Sequence, residues 1–400
     1  MRTRSFTKVA VLAAGAAVAL AACSSSGGSS NSGGLGSSDT GSSSGSGASA
    51  STTVKIGFEG PLSGDNAQLG INEVNAVQLA VDQANENNTY GFKVQLVKSD
   101  DVGDPSKAPA AATTLQQDPA VLGVIGPSFS GATSAVGASY DQAGLVLISP
   151  SATNPDLTSS GFKSFHRDVA PDSLQGTAVG DWLAKKATNV YVVDDLSDYG
   201  KGLADQIQQE LKKKKIKTER DGVDAKTTDY SVIAQKVAAS GADALYYAGY
   251  DTQAAQFAKA LVAAGFKGIT ATGDGGKSSK FTSTAGDAGN GWYFSCPCLD
   301  ATVAPQAKAF NDAYKAAFKT DPSTYSPEAY DAANALLTAI KDAGANPTRK
   351  AVWDAVNAVD YKGITTEVKF QSNGEVAQQV INLYRQKDGV IGYLGDITKQ

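Results

Sequence analysis

Hydroxyl, carboxyl and phenol side chains recur in this chain just after short apolar runs. In the first half, Gly126-Pro127-Ser128-Phe129-Ser130-Gly131 follows residues 121–125, and Ser149-Pro150-Ser151-Ala152-Thr153 follows residues 145–148. In the second half the equivalent segments are Asp194-Asp195-Leu196-Ser197-Asp198-Tyr199-Gly200, Ala248-Gly249-Tyr250-Asp251 and Thr272-Gly273-Asp274-Gly275-Gly276. The first set supplies hydroxyls and backbone N–H groups, which suit an anion at a helix N-terminus. The second supplies carboxylates and tyrosines, which suit a cation with an apolar or aromatic body. Facing each other, the two sets suit a zwitterion such as an amino acid.

Other chemistries are poorly provided for. One histidine, His166, excludes a multi-histidine metal site and leaves any Ser-His-Asp arrangement dependent on a single residue. Beyond residue 52 there is no Gly-x-Ser-x-Gly, and no Gly-x-Gly-x-x-Gly follows the first strand, so neither a nucleophile elbow nor a dinucleotide fingerprint is present. Gly273–Ser278 looks superficially like a phosphate loop but lacks its first glycine, because Ala271 stands there. A net charge of −5 argues against nucleic-acid binding, which needs clustered cations. Neither catalysis, cofactor nor metal is expected. Each polar residue also has a plainer role open to it: Ser130 and Thr153 as helix caps, Tyr199 and Tyr250 as packing residues, Asp274 as a turn former, His166 as a structural group on an extended segment.

The elements that would position these loops alternate regularly. Strands are expected at residues 54–58, 92–98, 121–125, 145–148, 189–193, 244–247 and 268–272. Helices are expected near 69–87, 105–117 (with Asp104 as N-cap), 130–143, 173–186, 200–214, 231–239 and 252–263. Val- and Ile-rich strands alternating with helices of 10–20 residues indicate parallel sheets covered on both faces. Two such sets indicate an α/β protein of two doubly wound lobes, and 400 residues are ample for both. Lys212–Lys215 reads as a solvated helix end.

The N-terminus reads as an address. Arg2, Arg4 and Lys8 precede a short apolar stretch, and residues 1–22 are expected to be an export signal. Leu20-Ala21-Ala22-Cys23 resembles the bacterial lipobox, which would make Cys23 a lipid anchor. Residues 23–52 are then the lipidated cysteine and a Ser/Gly-rich tether with an r.m.s. reach of ~30 Å. Elsewhere no apolar run approaches the ~18 residues of a membrane span. The remaining cysteines, Cys296 and Cys298, are candidates for a disulfide in an oxidising compartment, or for a redox pair.

Several segments in order carry a family resemblance: Val54-Lys55-Ile56-Gly57 leading into Gly60-Pro61-Leu62-Ser63-Gly64, Asp100-Asp101-x-x-Asp104-Pro105, Val124-Ile125-Gly126, residues 148–158, Tyr199-Gly200-Lys201-Gly202 and Tyr246-Tyr247-Ala248-Gly249-Tyr250. Across residues 53–400 the chain resembles the solute-binding lipoproteins of branched-chain amino acid ABC transporters. The resemblance implies a type I periplasmic-binding fold, two Rossmann-like lobes joined by three crossover segments near Pro171, Pro297 and Gln371. Lobe 1 would comprise residues 53–170 and 297–371, and lobe 2 residues 171–296 and 372–400. It implies an amino acid held by Ser130 and Thr153 at its carboxylate, by polar groups of Ser151, by Tyr199 and Tyr250, and by Asp274 at its ammonium. A monomer serving ABC permease subunits, anchored to the outer face of the cell membrane, is expected. Two positions depart from the family pattern: Leu69 stands where an aromatic residue is common, and Asp274 is one methylene shorter than the usual Glu. Which amino acid is bound stays open, as do a short amide, urea or an aromatic acid as cargo and a sensing role.

Overall fold

The computed structural model describes residues 53–400; the expected export signal, Cys23 and tether lie outside the described residues. The elements of the first half are β1 Thr53–Gly60, α1 Ala67–Glu86, β2 Lys93–Asp100, α2 Ala108–Gln116, β3 Val121–Ile125, α3 Ser130–Ala143, β4 Val146–Ser149, α4 Asp156–Ser159 and β5 Phe165–Arg167. Next come α5 Asp172–Ala184, β6 Asn189–Asp194, α6 Asp198–Lys213, β7 Lys217–Gly222, α7 Ser231–Ala239, β8 Ala244–Ala248, α8 Asp251–Ala263, β9 Ile269–Thr272, α9 Ser279–Ala285 and β10 Tyr293–Cys296. The chain ends with α10 Lys308–Phe318, α11 Ser326–Asp342, α12 Arg349–Asn357, β11 Tyr361–Lys362, β12 Glu367–Val368, β13 Asn382–Lys387 and β14 Val390–Asp396.

Two sheets organise these elements. The first, in the order β2-β1-β3-β4-β5, is wholly parallel. The second runs β14-β13-β10-β9-β8-β6-β7 and is parallel except where β13 pairs with β10 and β14. β3, β4 and β8 are buried along their whole length, as strands covered on both faces must be. One face of the first sheet packs on α1, α10, α11 and α12, the other on α2 and α3. The second sheet is covered likewise, by α7, α8 and α9 on one face and α5 and α6 on the other.

The chain passes from the first sheet to the second between β5 and α5, beside Pro171, and returns just after Cys298. The third passage comes later than the boundary at Gln371. Glu375 still bridges to Arg167 of β5 and Val376 to Phe370, so residues through 376 belong with the first sheet. Cys296 and Cys298 are joined as a disulfide in the return segment.

Local structure departs from the sequence expectation at several points. α2 starts at Ala108 and not at Pro105. Asp104 spends its carboxylate on the Ser106 N–H at 2.8 Å, closing a turn ahead of the helix, and Lys107 stands at the N-cap. β7, missed by an apolar-pattern reading because it is Lys-Thr-Glu-Arg-Asp-Gly, is an edge strand, where charges protect an open flank. Its Arg220 reaches Asp194 of the neighbouring β6 at 2.8 Å. The β13–β14 hairpin was also missed, although Asp388-Gly389 between them carries positive φ at both positions (51° and 78°), the Asp-Gly signature of a two-residue turn.

One buried ion pair holds the loop after β4. Arg167, with no exposed surface, meets Glu375 through Nε at 3.0 Å and Nη2 at 2.5 Å, and its Nη1 donates to the carbonyls of Ala152 (2.9 Å) and Asn154 (2.8 Å). Removing one partner strands a buried charge. Glu375→Ala should therefore lower unfolding free energy by ~3–5 kcal/mol in urea titration, well beyond the loss from a surface pair.

Candidate functional site

In open α/β sheets ligands sit beyond the carboxyl ends of the strands, where neighbouring connections diverge. The loops after β3 and β4 meet those after β6, β8 and β9 at such a place. Leu69, Glu73, Ser128, Phe129, Ser130, Ser151, Tyr199, Tyr250, Asp274, Gly275 and Tyr325 enclose a cavity of about 10 Å³ there, room for about one water. Five of the six expected ligand residues, Ser130, Ser151, Tyr199, Tyr250 and Asp274, are thus brought together. Thr153 is not among the lining residues; it is fully buried beside Asp172, whose backbone N–H donates to its carbonyl at 2.8 Å.

Each polar group has a traceable anchor. Ser130 is the first residue of α3, and its Oγ accepts from Asn154 N at 3.3 Å; it caps no helix. Ser151 Oγ donates to the Ser128 carbonyl at 2.7 Å, tying the loop after β4 to the loop after β3. Gly126, at the start of the β3 loop, has φ +110°, and a side chain there would overlap the Glu59 carbonyl, so β1 and β3 can come this close only at glycine. On the opposite wall Asp274 is nearly inaccessible. Its Oδ1 accepts from Gln175 Nε2 (2.8 Å) and Tyr199 OH (3.0 Å), and its Oδ2 from Tyr325 OH (2.7 Å). Burial raises its carboxyl above the usual range, and these three donors oppose the rise. Tyr199 OH also accepts from Gly275 N at 3.1 Å.

The two walls touch. Phe129 and Tyr250 stack with ring centroids 4.4 Å apart, Asn154 Nδ2 donates to the Asp198 carbonyl (2.7 Å), and Thr252 Oγ1 donates to the Asp65 carbonyl (3.0 Å). A wider groove of about 940 Å³ runs past His166, Arg349 and Trp353. It includes Asp141 and Gly144 at the far end of α3, so it lies at the amino ends of the strands, away from the converging loops. His166 itself is buried in β5 with Nε2 2.9 Å from Asn357 Oδ1.

Residue-type reasoning missed Glu73, Ser128, Phe129 and Tyr325. Glu73 did leave a signal: it follows Leu69 by one turn on the apolar stripe of α1 that continues through Ala76, Val77 and Ala80, a position where an unpaired charge is costly.

A family model described as periplasmic binding protein matches residues 53–390. The chain belongs to that family. Members of this family are solute-binding receptors of the extracytoplasmic space. Among its relatives is the Leu/Ile/Val-binding protein BraC3 of Rhizobium johnstonii, 30% identical over 345 residues, which span 84% of this chain and 93% of that protein. The leucine-, isoleucine-, valine-, threonine- and alanine-binding protein of Pseudomonas aeruginosa is 28% identical over 83% of this chain and 89% of its own. A solved structure of the branched-chain amino acid transporter substrate-binding protein LivJ of Streptococcus pneumoniae, in complex with isoleucine, superposes with a TM-score of 0.78 at 28% identity, covering 86% of this chain and all of that one. The leucine-binding protein LivK of Thermotoga maritima shares the fold with a TM-score of 0.80 at 24% identity, over 86% of this chain and 98% of its own.

Burial of acids around the cleft sets a pH dependence. Burial raises Glu59 to about 8, although its Oε2 accepts from Tyr140 OH, and raises Glu73 to about 7 and Glu328 to about 8. An acid raised on folding stabilises the native state fully below its unfolded value of 4.5, and that contribution is lost as pH rises through the folded value. The lowered acids Asp100 and Asp243 act below 3.8, outside this window, while His166, lowered by burial, acts in the opposite sense below 6.5. Comparison with Glu59→Gln isolates the effect. The stability of the variant relative to the parent should grow by a few kcal/mol from pH 4.5 to 8, at about 1.4 kcal/mol per unit, in chemical denaturation across that range.

Proposed function

We propose that this protein captures an α-amino acid, branched-chain or related, between its two lobes and delivers it to an ABC permease, making and breaking no bond. One observation carries the reading: Ser130 at the start of α3 and the caged carboxylate of Asp274 line the same cavity from opposite walls. An α-carboxylate would take the Ser130 hydroxyl and the N-terminal amides of α3, and an α-ammonium would take Asp274, each a charge-assisted contact. Ser151 would supply a further polar group, and Tyr199 and Tyr250 would shape the wall from the second lobe. The relatives' names, which specify leucine, isoleucine and valine, support the same ligand class.

A cavity of about 10 Å³ holds no amino acid. Binding therefore requires the lobes to part about the three crossovers and close again on the ligand, a hinge motion in which the Phe129–Tyr250 stack must open. In this reading lobe 1 comprises residues 53–170 and 299 to about 376, and lobe 2 the rest of the body. The receptor acts as a cofactor-free monomer. Residues 1–22 are removed, Cys23 is acylated, and the following tether lets the body reach a permease.

Calorimetric titration with the twenty amino acids tests the ligand class. At least one of leucine, isoleucine, valine and the similarly shaped threonine is expected to bind, with Asp274→Asn weakening the best ligand tenfold or more (~1.4 kcal/mol). If Ser130→Ala and Asp274→Asn both stay within about threefold of the parent (~0.6 kcal/mol), these residue roles fall. For the anchor, Cys23→Ala should abolish palmitate labelling in cells and release the protein from the membrane fraction; unchanged labelling would refute acylation at Cys23.

A further inference from the structure

Glu73 is fully buried and lines the cavity, yet only half of its carboxyl is used. Oε2 accepts from Ser128 Oγ at 2.5 Å, while Oε1 makes no hydrogen bond; the Ser151 hydroxyl lies close enough to oppose the effect of burial on this carboxyl but donates to the Ser128 carbonyl at 2.7 Å. We propose that Glu73 is a specificity-determining residue whose free oxygen pairs with a hydroxyl or amide on the side chain of the bound amino acid. The inference rests on the amino-acid reading above and narrows its ligand to those with a polar side-chain group.

Geometry assigns the contact. With Ser130 taking the carboxylate and Asp274 the ammonium, the wall left for the side chain is Leu69, Glu73, Phe129 and Tyr250. Leu69 and Glu73 are one turn apart on α1, so they present one apolar and one polar spot side by side. An aliphatic side chain lying against that wall would seal Oε1 away from water without a partner. A site with a buried polar group waiting for a donor discriminates strongly against the analogue that lacks it. The chemistry of the carboxyl narrows the partner further. Burial raises Glu73 to about 7, so both its protonation states are populated near neutral pH. A hydroxyl or primary amide both donates and accepts and can match either state, whereas an ammonium matches only the ionised one.

Valine and threonine separate the possibilities because they differ by a methyl for a hydroxyl at nearly constant shape; allo-threonine places the hydroxyl at the other γ position. Calorimetric titration of the intact body at pH 7 should show the better of the two threonines binding at least tenfold tighter than valine. Glu73→Leu and Glu73→Met, checked for folding by thermal melting, should reduce that ratio to about one or invert it, while Glu73→Gln should keep it within about threefold. Valine binding as tightly as either threonine in the parent protein overturns the inference and points to a trapped water on Oε1, whatever the fate of the variants. So does a parental threonine preference that survives Glu73→Met. In both cases leucine or valine binding would leave the amino-acid reading standing. No binding of valine, leucine or either threonine would overturn that reading and this inference together.

Discussion

A buried carboxylate must be satisfied by its surroundings, and at Asp274 that requirement organises the cleft. Its two oxygens collect Gln175 from α5, Tyr199 from α6 and Tyr325 from the residue before α11. These donors come from three distant parts of the chain, so the carboxylate is in place only when the second sheet, its covering helices and the return segment are all assembled. Gln175 extends the network to Ser295 of β10 at 3.0 Å, and Ser295 meets Tyr246 of β8 at 2.9 Å. The low dielectric that makes each of these bonds strong would make a missing one expensive.

The opposite wall follows a different logic. Three loops after β1, β3 and β4 are pulled together by close backbone approach at Gly126, by Ser128 and Ser151, and by the Arg167–Glu375 pair behind them. The result is a polar surface with few charges, backed by the acids Glu59 and Glu73, which burial raises above the usual carboxylate range. A neutral-to-positive helix end and a caged carboxylate line one cavity, which the Phe129–Tyr250 stack also lines. That asymmetry is what a zwitterion needs, and it arises from two sheets that never pair with each other.

Much of this was readable from residue order. The buried strands β3, β4, β6 and β8 announce themselves through continuous Val, Ile, Leu and Tyr, and the polar clusters just after them mark the strand ends where ligands bind. β7 was invisible because its pairing rests on cross-strand charges rather than on an apolar pattern. The onset of α2 was misplaced because Asp104 has two competing uses, a turn or a cap, and local sequence weighs them about equally.

The α/β alternation, the family and five of the cavity's polar positions are legible in the amino-acid order alone, because strand-end loops are local and their side-chain types are specific. Long-range packing settles that Asp274 is shared by three donors, that Thr153 is buried outside the cavity lining, and that Glu73 joins that lining with one carboxyl oxygen unpaired. Those facts depend on contacts between residues 51 to 99 positions apart, such as Tyr325 with Asp274, Ser128 with Glu73 and Gln175 with Asp274. Burial acts on the same groups: a carboxyl that would be an ordinary surface anion on an isolated helix becomes, at Glu73, a half-paired group raised to about 7.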